Sequence, residues 1–419
     1  MSLDVRRDRL RQWFQACRAA TFTFADQVDD ETFCCQTHPD FSPVGWHVGH
    51  IGYTEALWLL QACAKQPPIC PDYHRLFAAD GLPKTERVHL PSRAWLYDYL
   101  ATIREHVLQY LQVAPLDEQE RLWRWLLQHE SQHNETMALL IQVKTWRGDR
   151  LPSSLCADLC AELSPPTPAM ILIPAGEFEM GNVSLDALDN ERPVHRGELP
   201  DFWIDRYPVT CGEYRQFIHA NGYQNPHWWS PEGWRWLQQE GITHPLYWSD
   251  HAAWEHHPVC GVSAYEADAY AAFVGKRLPT EAEWEKAASW NPATQTRSLY
   301  PWGNDWPTTS HANHHLTWGH TTPVHAHPNG RSAYGCEDLL GNVWEWTTSQ
   351  FSPYPGFSPY PYPGYSQTYF DGKHWVLRGG SWATLPWAMR SAFRNWYYPF
   401  VRQILAGFRC ACSHPPDRI

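Results

Sequence analysis

The hydrophobic period of this chain changes once, near residue 150, and that change limits what each half can fold into. Before it, apolar residues recur at three- and four-residue spacing in RRDRLRQWFQACRAATFTFADQV, GWHVGHIGYTEALWLLQAC, SRAWLYDYLATIREHVLQYLQV and DEQERLWRWLLQHESQHNETMALLIQVKTW. That spacing draws one apolar face along an α-helix. The connections hold the breakers, THPDFSP, KQPPICPDY and APLDEQE. Four amphipathic helices with short connections predict a four-helix bundle over residues 1–155.

Pro165, Pro166 and Pro168 then mark a linker, 156–169. From 170 to 415 the chain predicts short strands, ILIPAGEFEMG, LPDFWIDRYPV and WVLRGGSW, separated by turns. Only EYRQFIHANG and SAYEADAYAAFVGKRLPTEAEWEKAAS predict helices there, with TEAE as a capping box. The chain holds 25 Trp, 20 Tyr and 35 Pro in 419 residues, which suits an irregular α+β domain filled by aromatic plates and excludes disorder. A net charge of −12 argues against nucleic acid or an anionic membrane as partner. No long uncharged apolar run predicts a membrane span, and MSLDVRRDRLRQWFQ lacks the apolar block of a secretory leader, so the expected compartment is the cytoplasm. The 12 cysteines include no CxxC pair, and in a reducing compartment they read as thiols.

The strongest chemical signal is HESQHNET. His129 and His133 stand four apart in a helical stretch, which puts both imidazoles on one face, able to share a metal. WHVGHIG, on another helix of the same bundle, offers His47 or His50 as a third imidazole. Three neutral imidazoles without thiolate or carboxylate suit iron(II) or zinc and leave coordination positions open. HESQH also satisfies the HExxH pattern of zinc peptidases, with Glu130 as general base and Glu162 as the downstream third ligand.

Taken together, these segments resemble a known family. SPVGWHVGHIG and HESQHNE resemble the paired histidine segments of the DinB-like four-helix bundle. IPAGEFEMG, DFWIDRYPVTCGEYRQF, RLPTEAEWEKAA, GCEDLLGNVWEWT, VLRGGSW and AFRNWYYPFVRQILAGFRCA resemble the formylglycine-generating-enzyme-like, C-type-lectin-related fold. In this order, over nearly the whole chain, the pair resembles the ergothioneine-biosynthesis sulfoxide synthases. The resemblance implies a non-haem iron(II), O2-dependent oxidoreductase that joins sulfur from cysteine or γ-glutamylcysteine to imidazole C2 of hercynine (N,N,N-trimethylhistidine), with oxidation to a sulfoxide.

By the same resemblance His50, His129 and His133 are the iron ligands, and Gln132 helps hold the imidazole substrate. Asn395 and Trp396 match residues around the substrate's carboxylate and trimethylammonium, the latter a cation suited to an aromatic face. Tyr397 stands where many relatives have Asp, and Thr54 where they have a second glutamine. Lys84 and Arg87 fall at the spacing of two arginines that grip a γ-glutamylcysteine donor, and Lys lacks the planar fork. A tyrosine of SPYPGFSPYPYPGY (Tyr354, Tyr360 or Tyr362) is the implied proton donor. Cys410 and Cys412 sit near the end where true formylglycine-generating enzymes carry a reactive pair, but GFRCA reads as a buried terminal strand, and the second half as scaffold. Two departures, Lys84 and Tyr397, keep open a selenosugar donor and selenoneine as product. A non-catalytic lectin-like binding module is the reading from another class, disfavoured by the three histidines.

Overall fold

Capping residues and breakers set the helix ends in the first of two compact units, Met1–Thr145 and Trp146–Ile419. The computed structural model describes residues 2–148 and 169–415. Except for Ala169, the expected linker 156–169 lies outside the described residues, as do Cys156, Cys160 and Glu162. In the first unit Ser2 caps α1 (Leu3–Ala25), and Asp29 caps the short α2 (Asp30–Cys34). Next come α3 (Val44–Glu55), α4 (His74–Phe77), α5 (Arg93–Leu111) and α6 (Leu116–Thr145). The long α1, α3, α5 and α6 are the expected four helices. Periodicity did not show that α3 runs on as a π-helix over Ala56–Cys63. Each helix buries its apolar stripe, with Phe14, Phe24, Leu59, Leu100, Ile103, Val107 and Trp123 in the shared core.

The second unit has much shorter elements. A three-stranded sheet joins β1 (Met170–Ile173), β4 (Phe202–Asp205) and β11 (Ala411–Cys412) in the order β1-β4-β11. A two-stranded ribbon pairs β2 (Gly176–Met180) with β3 (His195–Leu199), and another pairs β5 (Trp290–Asn291) with β6 (Thr296–Arg297). A four-stranded sheet runs β10-β7-β8-β9, from β7 (Trp344–Gln350), β8 (Trp375–Arg378), β9 (Asn395–Tyr397) and β10 (Ala406–Gly407). The expected helices form as α7 (Cys211–His219), α9 (Ala264–Phe273) and α10 (Glu281–Ser289), the last with the Thr280–Glu283 capping box.

One further helix corrects the expectation, α8 (Pro231–Glu240). Its ends were legible, with Ser230 as N-cap, Pro231 in the first turn and Gly241 left-handed at the end (φ 64°). Its interior, GWRWLQQE, buries Gly233 and Leu237 and half-buries Trp234 and Trp236, a short apolar face hidden in the tryptophan-rich run NPHWWSPEGW.

The conspicuous motifs of this unit are joined in pairs by buried ions. Arg409 of GFRC forks onto Glu345 of VWEW, at 2.7 Å to each carboxylate oxygen. Arg378 of LRGG pairs with Glu285 of AEWE, and Arg394 of FRNW holds Glu281 of PTEAE at 2.9 and 3.0 Å. The same guanidiniums also serve the irregular backbone. Arg409 donates to the carbonyls of Asp205, Arg206, Glu337 and Asp338, and Arg394 to those of Asn190 and Ser352. A backbone without long ladders needs side-chain donors for its buried carbonyls, and the arginine fork supplies several at once.

Candidate metal centre

Close helix approach begins the site. Gly45 and Gly49 stand one turn apart on α3, and a Cβ at Gly49 would lie 2.1 Å from the Phe77 ring. The missing side chain lets α4 lie against α3, and its Phe77 carbonyl accepts from His50 Nδ1 at 2.6 Å. With its proton held there, the His50 ring turns the Nε2 lone pair toward α6. His50 Nε2 lies 3.3 Å from His129 Nε2, and His133 Nε2 lies 3.2 Å from the same atom. Thr54 Oγ1 is 3.4 Å from His50 Nε2, so the residue at the second-glutamine position borders the cluster.

These three side chains are the one group of metal-ligating type found among the described residues. A metal–nitrogen bond of about 2.0–2.1 Å puts neighbouring ligand nitrogens about 3.0–3.4 Å apart, so the spacing fits one ion. Protonation state fits as well. Burial pushes His50 down to about 4 and drives His129 and His133 well below their ordinary value, with neighbouring imidazoles adding to the effect on the latter two. All three rings are neutral at pH 7 with lone pairs available. Trp46 stacks on His50 at 4.6 Å, and Trp125 on His129 at 5.1 Å, which keeps the rings in apolar surroundings.

His47, the open alternative to His50, is buried on the outer side. Its Nδ1 meets His133 Nδ1 at 2.8 Å, away from the three converging nitrogens.

Glu130 is not the base of a peptidase. Arg18 Nε donates to it at 2.8 Å, Arg104 at 2.8 Å and Thr21 Oγ1 at 2.6 Å. Burial alone would raise this carboxyl, but the two guanidiniums hold it below the usual carboxylate range. Glu55 completes the cluster, at 2.6 Å from Arg18 and 2.7 Å from Arg104. Each of α1, α3, α5 and α6 thus contributes one ion to a buried, charge-balanced quartet. The quartet links the two helices that carry the histidines to α1 and α5. Sequence reasoning passed over Arg18, Glu55 and Arg104; the signal was a charge placed within an apolar stripe.

Gln132 sits next to His133, its amide donating to the Gln128 carbonyl at 3.2 Å. Lys84 Nζ donates to the Asp40 carbonyl at 2.5 Å. Arg87 donates to the carbonyls of Leu82 and Ala79 and to Ser42 Oγ, and lies 4.2 Å over Trp46. The structure therefore brings Arg87, Trp46 and His50 into one stack and uses much of the guanidinium to hold the loop before α5.

In the second unit Asn395, Trp396 and Tyr397 are β9, paired with Leu377, Val376 and Trp375. Trp396 stacks on Phe351 at 4.2 Å, with Tyr365 edge-on at 6.2 Å and Tyr369 at 5.4 Å. Tyr354 lies in the core with Phe178, Met180 and Trp290, its ring 4.3 Å from the Arg394 guanidinium. Tyr360 and Tyr362 are half-buried on the following loop, which the Tyr360 amide ties to Asp189. Burial pushes the Cys410 thiol well above its ordinary value, so it is no thiolate nucleophile. The ten described cysteines are free thiols. Among the described residues no helix is long and apolar enough to cross a membrane.

Comparison with known proteins agrees with this arrangement. Residues 13–137 match the DinB superfamily, and residues 157–414 match the sulfatase-modifying factor enzyme 1-like domain. Hercynine oxygenase of Mycobacterium tuberculosis is 42% identical over 414 residues, covering 94% of this chain and 96% of that protein. The hercynine oxygenases of Mycolicibacterium thermoresistibile and Mycolicibacterium smegmatis are 41% and 38% identical. They cover 98% and 97% of this chain, and 96% and 99% of their own lengths. With both domains in the same order and three histidines converging in the first, the chain belongs to the hercynine oxygenase family and is an oxidoreductase of the oxygenase type.

Proposed function

We propose that this chain is an iron(II)-dependent oxygenase that forms a C–S bond between a thiol donor and imidazole C2 of hercynine, with sulfoxidation. The observation that supports it best is the convergence of three neutral imidazole nitrogens, 3.2 and 3.3 Å apart across α3 and α6. The overall reaction balances as C2–H plus RS–H plus O2 giving C2–S(O)–R plus H2O, one oxygen atom going to sulfur and one to water. Bound iron(II) would supply open coordination positions at which O2 and the thiolate react. His50, His129 and His133 would hold it, while Phe77 and the two flanking Trp rings orient the imidazoles and exclude water.

The remaining contacts are proposed from the resemblance and the local geometry. Gln132 would hold the imidazole of hercynine, and Asn395 and Tyr397 the polar end of the substrate. Trp396, with Tyr365 and Tyr369 around it, offers the aromatic surroundings that favour a trimethylammonium. Tyr360 or Tyr362 would be the proton donor, because Tyr354 is built into a core. We also propose a cytoplasmic location.

One observation bears on the donor. Arg87 is largely spent on loop carbonyls and Lys84 reaches a carbonyl, which leaves less than two free forks for a γ-glutamyl donor. That favours cysteine, and it keeps the selenosugar donor, with selenoneine as product, as a second reading. An aerobic assay with iron(II) and hercynine, offering cysteine, γ-glutamylcysteine and a selenosugar side by side, should give a C2-linked product whose mass names the donor. His129→Ala should abolish iron binding and oxygen uptake. A purified protein that holds zinc and leaves hercynine untouched would overturn the proposal.

A further inference from the structure

His47 lies outside the ligand set but touches it directly. Its ring is buried on α3, one turn before His50, and its Nδ1 approaches His133 Nδ1 to 2.8 Å. Two ring nitrogens at that distance need one proton between them. His133 directs Nε2 toward His129 at 3.2 Å, so a metal there would take the Nε2 lone pair. A neutral imidazole that ligates through Nε2 carries its proton on Nδ1, and that proton then points at His47.

We infer that His47 is a positioning residue, accepting the His133 Nδ1 proton at its own Nδ1 and so fixing the tautomer and rotation of His133 for metal binding. The inference rests on the three-histidine metal reading and deepens it. His50 has its partner for the same purpose in the Phe77 carbonyl. Among the described residues no backbone carbonyl lies within hydrogen-bond reach of His133 Nδ1 on α6, and the acceptor comes instead from α3. One helix therefore supplies both a ligand, His50, and the residue that aims a second ligand. Partners of this kind hold ring orientation and raise ligand basicity, and their loss costs about 10–100-fold in metal affinity.

The test uses the full-length, metal-free chain and cobalt(II), followed by chelator competition and the visible spectrum of the bound ion. Leu and Asn have the same shape, but only Asn offers an acceptor near the position of Nδ1. Wild type is expected to bind one cobalt(II). His47→Leu should keep that stoichiometry, with affinity lower by about 10–100-fold and an altered spectrum, and His47→Asn should recover most of the loss. Equal affinities for the Leu and Asn variants would refute the positioning role while leaving the metal site standing. A folded wild-type chain that takes up no cobalt(II) would remove the metal reading, and this inference with it. A readout independent of folding in the variants is the zinc-loaded wild type with 15N-labelled histidine. His47 should appear there as the Nε2–H tautomer, with Nδ1 accepting, and an Nδ1–H tautomer of His47 would overturn the inference.

Discussion

Both units bury arginine–carboxylate pairs, but they use them differently. In the helical unit most backbone groups pair within their own helices, so Arg18 and Arg104 spend most of their donors on Glu55 and Glu130 and reach one carbonyl each, those of Leu100 and Phe14. Two of these residues, Glu130 and Glu55, stand on the helices that carry the histidines. In the second unit the chain is mostly loops and short strands, and Arg409, Arg378 and Arg394 must cap carbonyls as well as neutralise Glu345, Glu285 and Glu281. The same chemistry mainly ties helices together in one region, and in the other it serves more of an irregular backbone, Arg409 alone reaching four carbonyls.

Breaking one partner in each region is the strongest test of that contrast. Arg104→Met and Arg409→Met each leave a buried carboxylate short of its partner and should cost about 3–5 kcal/mol in denaturant unfolding. Only Arg104→Met is expected also to weaken metal binding in the protein that remains folded. Equal weakening by Arg409→Met would erase the distinction.

A smaller expected effect isolates helix approach from charge. Gly49→Ala drives a methyl group into Phe77 and should cost about 1–3 kcal/mol by overpacking. Because Phe77 carries the acceptor for His50, metal affinity should fall as well, which titration with cobalt(II) would show.

A further test concerns the acid sensitivity that buried histidines give the second unit. Burial pushes His257 down to about 3 and His314 and His327 to about 4, so these rings are neutral in the folded second unit. Unfolded, they bind protons below their ordinary value of about 6.5. Between that value and the folded ones the unfolded state holds more protons, so stability falls as pH drops through the window. Each ring contributes up to about 1.4 kcal/mol per pH unit. His257→Phe should flatten the stability profile between pH 6 and 4; an unchanged slope would mean the ring already titrates in the folded state.

The least change is expected at Tyr354. Its hydroxyl is buried without a hydrogen-bond partner among the described residues, so Tyr354→Phe should shift stability by no more than about 1 kcal/mol. Turnover should also persist, and a collapse of turnover in a stably folded Tyr354→Phe would return this residue to the role proposed for Tyr360 or Tyr362.

Much of the fold was legible where one local rule governs it. The period of α1, α3, α5 and α6, the TEAE box of α10 and the i, i+4 pair His129–His133 are all set by helix geometry acting over a few residues. Helix α8 escaped because its apolar face spans barely two turns within a run rich in tryptophan, although Ser230, Pro231 and Gly241 marked its ends. Of the candidate site, the placement of His129 and His133 on one helical face followed from spacing. The choice of His50 over His47 needed a resemblance, since the two differ by less than a turn.

By itself the sequence determined two domains of different hydrophobic grammar and a pair of imidazoles on one helical face. Spacing left His47 and His50 open, and in the tertiary structure it is His50 that converges with that pair while His47 stands behind it. The tertiary structure also turned Glu130 from a catalytic base in a motif into one ion of a quartet. Local spacing fixes the direction of a side chain from its own helix. Its partner depends on how closely two helices pack, and here that is set by Gly49 against Phe77 and by four ions brought from four parts of the chain.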